Sequence, residues 1–186
     1  MVIPVKKTTL FEERNEEQRQ VFVEEIKDIP EESIVYVDES CFNEHLYREH
    51  CYALPGVKVI ANIPGKKLQK TNIIAGYVNG STIAELIYYQ NTNTSFIEFW
   101  VEQFLVKALK PGQIVIWDNA SFHKSVKVKE MIERAGCKLM FLPPYSPDLN
   151  PIEKFWANLK RYIRKKSKTI KTLWDAIVSF FVKGKK

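Results

Sequence analysis

Two aspartates stand at positions where carboxylates can do chemistry. Asp38 closes the run Ile-Val-Tyr-Val-Asp and Asp118 closes the run Ile-Val-Ile-Trp-Asp, so each follows four apolar residues typical of a buried strand. Catalytic and ligand-binding groups of α/β sheets gather at the carboxyl ends of strands. In parallel neighbouring strands the two carboxylates would lie about 5 Å apart and would need a shared proton or a cation such as Mg²⁺ between them. Alternatively, each aspartate is a turn-forming residue after its strand.

Glu153 is the third candidate, and its surroundings support two interpretations. The sequence Asn150-Pro151-Ile152-Glu153 is typical of a helix start, with an N-cap, a first-turn proline and a capping-box acid. On the helix that follows, Lys160 and Arg164 lie within about 20° of Glu153, which suits a metal-binding acid beside phosphate-binding cations. An ordinary solvated flank has the same pattern. The buried stripe of this helix is predicted to contain Ile152, Phe155, Trp156, Leu159 and Ile163.

The proline-rich segment PPYSPD, residues 143–148, leads to Glu153. Prolines restrict their own backbone and that of the preceding residue, so the segment is expected to be a stiff connection. A stiff connection suits a site in which a carboxylate must be held to a fraction of an ångström. The segment could equally place Tyr145, Ser146 and Asp148 against a ligand.

The elements that carry these residues alternate between strands and helices. Pro30 ends the first helix, Gly136 ends a later one, and Thr94 or Ser95 is predicted to cap the long helix between them. Asn79-Gly80 predicts a hairpin turn. The order favours an α/β fold, with one mixed β-sheet of about five strands flanked by α-helices. The strand candidates are 33–40, 57–62, 71–78, 82–89, 113–118 and 137–144, and about five of them are expected in the sheet. Helices are predicted at 15–28, 94–109, 125–136, from Asn150 onwards and at 172–181.

The charge of the chain is unevenly distributed. The 186 residues carry a formal net charge of +6, yet residues 1–32 hold five Lys/Arg against nine Asp/Glu, whereas residues 154–186 hold eleven Lys/Arg against one acid. A basic end suits nucleic acid or an anionic membrane, unless it is simply a solvated charged face. No apolar run approaches the roughly 20 residues of a membrane span, and the N-terminus has no signal-peptide core, so a cytoplasmic location is expected. The three dispersed cysteines predict reduced thiols.

Two further groups of residues have competing interpretations. Cys41, His45, His50 and Cys51 supply four zinc-type ligands within eleven residues. Structural zinc sites space their ligand pairs more regularly, and adjacent His50 and Cys51 make joint chelation awkward, so surface and core roles are favoured. His123 follows Asp118 by five residues. It is a general base, a residue that orients a metal ligand, or a plain histidine at a helix entry.

The motifs VYVDES, VIWDNASFHKS and LPPYSPDLNPIEKFWANLKR follow one another in this order. Together they resemble the catalytic domain of DDE transposases, in the mariner superfamily and its bacterial insertion-sequence branch. Thirty-four residues lie between Asp118 and Glu153, as is typical of that branch. The resemblance covers residues 34–165 in register, and three ordered motifs are far more specific than any single acid.

The resemblance implies a ribonuclease-H-like fold and metal-dependent DNA strand cleavage and strand transfer at transposon ends. It implies two Mg²⁺ or Mn²⁺ ions, with Asp38 bridging both, Asp118 binding one and Glu153 the other. The implied partners are the terminal inverted repeats of a transposon, target DNA and a second copy of the chain in a homodimer. Expected beside the site are Glu39, Asn119, His123, Asp148 and Asn150, and expected on DNA are Lys160, Arg161, Arg164, Lys165 and Lys166.

The chain departs from the family in its first residues. Family members begin with a helix-turn-helix region, whereas the residues before Asp38 are acidic and contain no recognition helix. We expect a helical lead-in at 1–32 and a catalytic domain at 33–186, with an upstream helix-turn-helix half as a further partner. Two alternatives stay open: an inactive or partial remnant that binds DNA or dimerises without catalysis, and a related nuclease that cuts without joining. A nucleoid-associated position in the cytoplasm is expected.

Overall fold

The computed structural model describes residues 12–43, 70–166 and 172–184, and its centre is a five-stranded sheet. Its strands are β1 (Ile34–Asn43), β2 (Lys70–Val78), β3 (Ser81–Tyr88), β4 (Ile114–Trp117) and β5 (Lys138–Phe141). They lie in the order β3-β2-β1-β4-β5. β4 is parallel to both of its neighbours, which agrees with the apolar sequence of a strand that is covered on both faces.

Helices separate and follow the strands. Short 3₁₀ turns stand between regular elements at Glu31–Ser33, Ser121–His123 and Pro147–Leu149. No helix in the described ranges is long and apolar enough to cross a membrane. The predicted strand at 57–62 lies outside the described residues. The helices are α1 (Glu16–Ile26), α2 (Thr94–Trp100), which continues through a π-helical turn (Val101–Leu105) into α3 (Val106–Ala108), then α4 (Val126–Arg134), α5 (Ile152–Lys166) and α6 (Leu173–Gly184).

The helix starts show which local predictions hold. α1 begins after Asn15, whose side chain accepts a hydrogen bond from the Gln18 N–H at 3.0 Å. α2 begins after Asn93, whose side chain accepts from the Phe96 N–H at 2.9 Å. The prediction that Thr94 or Ser95 caps this helix is therefore wrong, because asparagine caps a helix at least as well and Asn93 already has the extended backbone of a cap.

The predicted hairpin is confirmed at Asn79-Gly80. Asn79 has φ 45° and Gly80 has φ 78°, so both central residues of the turn adopt the left-handed conformation. A two-residue hairpin turn of this type needs positive φ at both positions, and asparagine and glycine tolerate it best. The turn makes β2 and β3 an antiparallel pair.

The contacts between residues divide the chain into two compact units. The first unit takes in the described parts of Met1–Asp38, Ala75–Glu85 and Thr92–Glu153, and the second takes in those of Glu39–Ile74, Leu86–Asn91 and Lys154–Lys186. Each unit is described by itself below.

A hydrophobic cluster in the first unit joins α1 to the sheet. Phe22 is buried together with Ile34, Ile116 and Leu142, and partly buried apolar side chains pack around them. Fully burying such a side chain stabilises the fold by about 1.5–3 kcal/mol. Val21, which precedes Phe22 in the sequence, is 59% exposed and faces solvent.

Candidate active site

The two strands that carry the aspartates are parallel neighbours. β4 ends at Trp117, directly before Asp118, as predicted, but β1 continues past Asp38 to Asn43, so the prediction that this strand stops at the acid is wrong. Ile34 of β1 pairs with Ile114 of β4, and Tyr36 pairs with Ile116. Two residues further along the same register, Asp38 lies level with Asp118. Both side chains are half-buried. The two carboxylates therefore come together at the carboxyl end of the sheet, where ligand sites of such sheets are found.

Asp118 is oriented by two hydrogen-bond donors. The His123 Nδ1–H donates to Asp118 Oδ1 at 2.5 Å, and the Ala120 N–H donates to the same oxygen at 3.0 Å. Within the described ranges no donor engages Oδ2. Burial raises the pKa of Asp118, but the hydrogen bonds from His123 and Ala120 and the charge of the imidazole outweigh it, so the pKa lies below its usual value. The carboxylate is ionised at neutral pH and can turn Oδ2 towards a cation.

His123 is fully buried, at 0% exposure. Its ring stacks on Trp117 with centroids 4.3 Å apart and meets the Phe122 ring edge-to-face at the same distance. Since no solvent reaches the imidazole and its Nδ1 is committed to Asp118, the geometry favours a residue that orients Asp118 over a general base. The interpretation as a plain helix-entry histidine does not account for that contact.

The loop from β5 to α5 borders the same region. The Leu142 N–H donates to the Trp117 carbonyl at 2.7 Å, which ties the start of the loop to β4. Tyr145 adopts φ 54°, a left-handed conformation that is uncommon for a residue other than glycine. The Ser146 hydroxyl donates to the Pro144 carbonyl at 3.1 Å. The loop is therefore held by its own contacts, as the proline-rich sequence predicted, and Tyr145 stands at its exposed tip.

The capping-box interpretation of Glu153 does not hold. In a capping box, the Glu153 carboxylate would accept a hydrogen bond from the Asn150 N–H. That N–H donates instead to the Pro147 carbonyl at 3.0 Å. The Asn150 side chain does not cap either, because its Oδ1 is buried and has no hydrogen-bond partner among the described residues. Glu153 is exposed in the first turn of α5. Helix capping therefore does not explain why a glutamate stands there.

One cavity of about 520 Å³ collects the three acids. Asp38, Asp118 and Glu153 all line it, together with Asn119 and the buried Asn150. The sequence-predicted acids are thus brought to one place within the first unit. The remaining lining residues are Ala120, Leu142, Pro143, Pro144, Tyr145, Ser146 and Pro147.

The donor set of this cavity fits a hard divalent cation. Carboxylate and amide oxygens are the ligands that Mg²⁺ prefers. Across the described ranges, no three His, Cys, Asp or Glu side chains are placed so that together they could hold a metal ion. Water or phosphate oxygens of a substrate would therefore have to complete the coordination, as is common for Mg²⁺.

Two residues expected beside the site, Glu39 and Asp148, do not line the cavity. Glu39 follows Asp38 in β1 and is half-buried, and the alternation along a strand directs its side chain to the opposite face. Asp148 binds protein: Arg19 Nη1 donates to its Oδ1 at 3.0 Å and Arg19 Nη2 to its Oδ2 at 2.6 Å. Sequence reasoning missed Arg19, because a single arginine in an acidic helix carries no local sign of a partner far along the chain.

The cations expected on DNA belong to the second unit. Arg161, Arg164 and Lys165 are exposed on α5, and Lys166 is half-buried. Lys160 Nζ lies 5.7 Å from the centroid of the Phe42 ring, a cation–π contact. The buried stripe of α5 is confirmed at Ile152, Trp156, Leu159 and Ile163, while Phe155 is half-buried. Of the zinc-type cluster, Cys41 is exposed, and His45, His50 and Cys51 lie outside the described residues.

Known proteins match this chain in sequence. A family model described as DDE superfamily endonuclease matches residues 33–174. The transposase of transposable element Tcb2 from Caenorhabditis briggsae is 35% identical over 68 residues, which are 32% of this chain and 25% of that protein. The chain thus matches only about a quarter of that relative's length.

Solved structures match its fold. The Mos1 transposase paired-end complex with the left transposon end has a TM-score of 0.68 at 18% identity, covering 100% of this chain and 65% of that chain. The mariner Mos1 paired end complex with Mg has a TM-score of 0.66 at 17% identity, with the same coverage. The expected ribonuclease-H-like fold is confirmed by this likeness.

Proposed function

The chain belongs to the DDE superfamily endonucleases, and from that premise we propose that it is the catalytic domain of a DNA transposase. It cleaves DNA strands at transposon ends and transfers them to target DNA. One observation carries the proposal: Asp38, Asp118 and Glu153, far apart in sequence, line a single cavity. The Mos1 structures, which have the same fold, contain transposon-end DNA or Mg, and this supports DNA as the substrate and a divalent cation as the cofactor.

The residues of the cavity provide charge and geometry for phosphoryl transfer. Asp118 is held ionised and oriented by His123, Asp38 lies level with it, and Glu153 adds a third carboxylate from the first turn of α5. These three side chains would hold Mg²⁺ or Mn²⁺, which would polarise the scissile phosphate and lower the pKa of an attacking water or 3′-hydroxyl. The stiff loop keeps Glu153 in place, which limits the reorganisation needed at the reacting phosphate.

The exposed cations of α5 support a DNA backbone contact. Arg161, Arg164 and Lys165 carry positive charge into solvent on one helix, and such side chains bind phosphates without reading sequence. The assignment extends to Lys160 and Lys166. Recognition of the terminal repeats then falls to base contacts from another region, for which we propose an upstream helix-turn-helix half.

The finer assignments are also proposals. Two ions and a homodimer on paired DNA ends follow from the family resemblance. The helical lead-in at residues 1–32, the catalytic domain at 33–186 and a nucleoid-associated position in the cytoplasm are proposed from the sequence pattern. The bacterial insertion-sequence branch rests on the thirty-four residues between Asp118 and Glu153. The named relative is a nematode element and does not support that branch, whereas the Mos1 structures support the mariner-like character.

A cleavage and joining assay tests the function. The protein is incubated with Mg²⁺, a supercoiled plasmid and a labelled oligonucleotide with a free 3′-hydroxyl, and nicking and label transfer are measured. Asp38→Asn, Asp118→Asn and Glu153→Gln should each lower nicking by at least about a hundredfold, because each removes a charge that stabilises the transition state. Glu130→Gln, on the exposed face of α4, is the matched control and should retain full activity.

The outcomes separate the alternatives. Nicking with label transfer supports a transposase, and nicking without it supports a nuclease that only cuts. A wild-type protein that binds DNA without nicking is a non-catalytic remnant. Nicking by Asp38→Asn at the wild-type rate would contradict the assignment of the cavity as the catalytic centre.

A further inference from the structure

A bidentate ion pair joins α1 to the loop that leads to Glu153. Arg19 donates from Nη1 to Asp148 Oδ1 at 3.0 Å and from Nη2 to Asp148 Oδ2 at 2.6 Å, across 129 positions of sequence. The Arg19 side chain is only 10% exposed, whereas that of Asp148 is 55% exposed. Paired donors and acceptors of this geometry fix both distance and orientation, which a single-point contact does not.

Arg19 is anchored on its own side of the contact. α1 is held to the sheet through Phe22, which is buried with Ile34, Ile116 and Leu142. The Arg19 guanidinium also lies 3.6 Å from the carboxylate of Glu16, one turn earlier in the helix. The hydrogen bonds to Asp148 raise the pKa of Arg19 despite its burial, so the cation is permanent. Arg19 is therefore the buried, anchored member of the pair, and Asp148 is its exposed member.

Asp148 is linked by short-range bonds to the residues of the cavity. It sits in the turn Pro147–Leu149, which is closed by the Leu149 N–H to the Ser146 carbonyl at 3.1 Å and by the Asn150 N–H to the Pro147 carbonyl at 3.0 Å. The Glu153 N–H then donates to the Asn150 carbonyl at 3.1 Å. A displacement of Asp148 is therefore passed along the chain to Asn150 and Glu153.

Apolar packing acts on the same turn. Leu149 packs against the cluster formed by Phe22 and its neighbours. Packing holds Leu149 near the sheet, but apolar contacts do not prescribe the rotation of the turn about its own axis. The bidentate ion pair between Arg19 and Asp148 fixes this rotation, because both carboxylate oxygens are engaged in one plane.

We propose that Arg19 is a positioning residue for the active site, which it serves by locking the Pro147–Leu149 turn through Asp148 and so setting where Asn150 and Glu153 stand. The proposal rests on the proposed function, since it assigns a role to the same cavity. It makes α1 a working part of the catalytic unit and not only a lead-in. It also gives Asp148 a role that needs no contact with metal or DNA.

Three variants test the contact in the full chain. Asp148→Asn keeps the shape of an exposed side chain and removes the charge. Arg19→Lys keeps the positive charge and removes the bidentate hydrogen bonding. Arg134→Ala is the matched control, since it breaks an exposed pair on α4 in which Arg134 Nη2 lies 2.9 Å from Glu130 Oε2. Hydrogen exchange of the amides of 147–153, Mg²⁺ affinity by calorimetry and the kcat and KM of nicking are measured for each.

The expected result differs between the variants. In Asp148→Asn the amides of 147–153 exchange at least about tenfold faster, Mg²⁺ binds several-fold more weakly, and kcat falls about ten- to a hundredfold with KM little changed, because a catalytic group is misplaced. For Arg19→Lys, the exchange rate, the Mg²⁺ affinity and kcat should each lie between the values of Asp148→Asn and of wild type. The control Arg134→Ala matches wild type in all three measurements.

Exchange at the wild-type rate in Asp148→Asn and Arg19→Lys would overturn the lock. Faster exchange with unchanged Mg²⁺ affinity and unchanged kcat would overturn the positioning role, because the tie would then be structural only. A wild-type protein that neither binds Mg²⁺ nor nicks DNA contradicts the proposed function instead. Hydrogen exchange alone then decides whether Arg19 holds the turn.

Discussion

Asn150 combines deep burial with an unsatisfied oxygen at the edge of the cavity. It is 4% exposed, and its Oδ1 has no hydrogen-bond partner in the part of the chain that the structure describes. A buried acceptor left without a donor costs about 1–3 kcal/mol. Residues that break a local rule at such a cost are expected at functional sites, and Asn150 lines the cavity beside Asp38, Asp118 and Glu153.

Replacing Asn150 should therefore separate stability from activity. Asn150→Leu removes the unsatisfied oxygen at similar volume, so the free energy of unfolding should stay level or rise by about 1 kcal/mol, while nicking falls at least about tenfold. Urea denaturation and the nicking assay measure the two effects. Asn91→Leu, at an exposed position between β3 and α2, is the control and should leave nicking unchanged. A loss of stability in Asn150→Leu would mean that the amide has a structural partner.

The turn Pro147–Leu149 depends on the ionisation of one of its residues. The hydrogen bonds from Arg19 hold the pKa of Asp148 below its usual value, and burial opposes them only in part. The unfolded chain therefore takes up this proton at higher pH than the folded protein does. The stabilisation is complete above the ordinary aspartate pKa of about 3.9 and is lost as the pH falls through the lower folded-state value.

Acid unfolding of wild type and Asp148→Asn should show this dependence. At pH 7 the wild type should be the more stable protein, by a modest amount because the carboxylate is half-exposed. The two curves of unfolding free energy should converge as the pH falls below the ordinary aspartate pKa of about 3.9 and through the lower folded-state pKa of Asp148. Asp118 contributes equally to both proteins and cancels. A difference that grows as the pH falls would contradict the sign of the shift.

The whole molecule separates acid from base along its length, and this predicts salt-dependent DNA binding. Residues 154–186 hold eleven Lys/Arg against one acid, while the first 32 residues are acidic. Each phosphate neutralised on a duplex releases counterions, so the logarithm of affinity falls with the logarithm of salt concentration with a slope of about −0.9 per contact.

Arg161→Gln should lower the magnitude of that slope by about one, with little dependence on DNA sequence. Fluorescence anisotropy with a short duplex at several salt concentrations measures it. Lys129→Gln, an exposed cation of α4 that lies 3.8 Å from Glu133, is the control and should leave the slope unchanged. Equal slopes for wild type and Arg161→Gln would remove Arg161 from the DNA contact.

Local patterns in the sequence were sufficient for much of this fold and for the principal acids. Four apolar residues before Asp38 and before Asp118 marked two buried strands, and Asn79-Gly80 marked the hairpin, because strand burial and turn conformation depend on residues adjacent in the chain. The stripe of α5 followed from helical periodicity. The family resemblance rests on the same adjacent residues together with the spacing of Asp118 and Glu153.

Tertiary structure alone decided how the acids are supported. The partner of Asp148 is Arg19, 129 positions away, and no local pattern encodes a contact made by packing α1 on the sheet. The sequence allowed three roles for His123. Its stacking on Trp117 and its hydrogen bond to Asp118 favour the role of orienting Asp118. Asn150 and Glu153 matched a capping box in sequence, but the Asn150 N–H turns to Pro147 in the folded loop. Adjacent residues determine which groups are available, whereas long-range packing determines which of them meet.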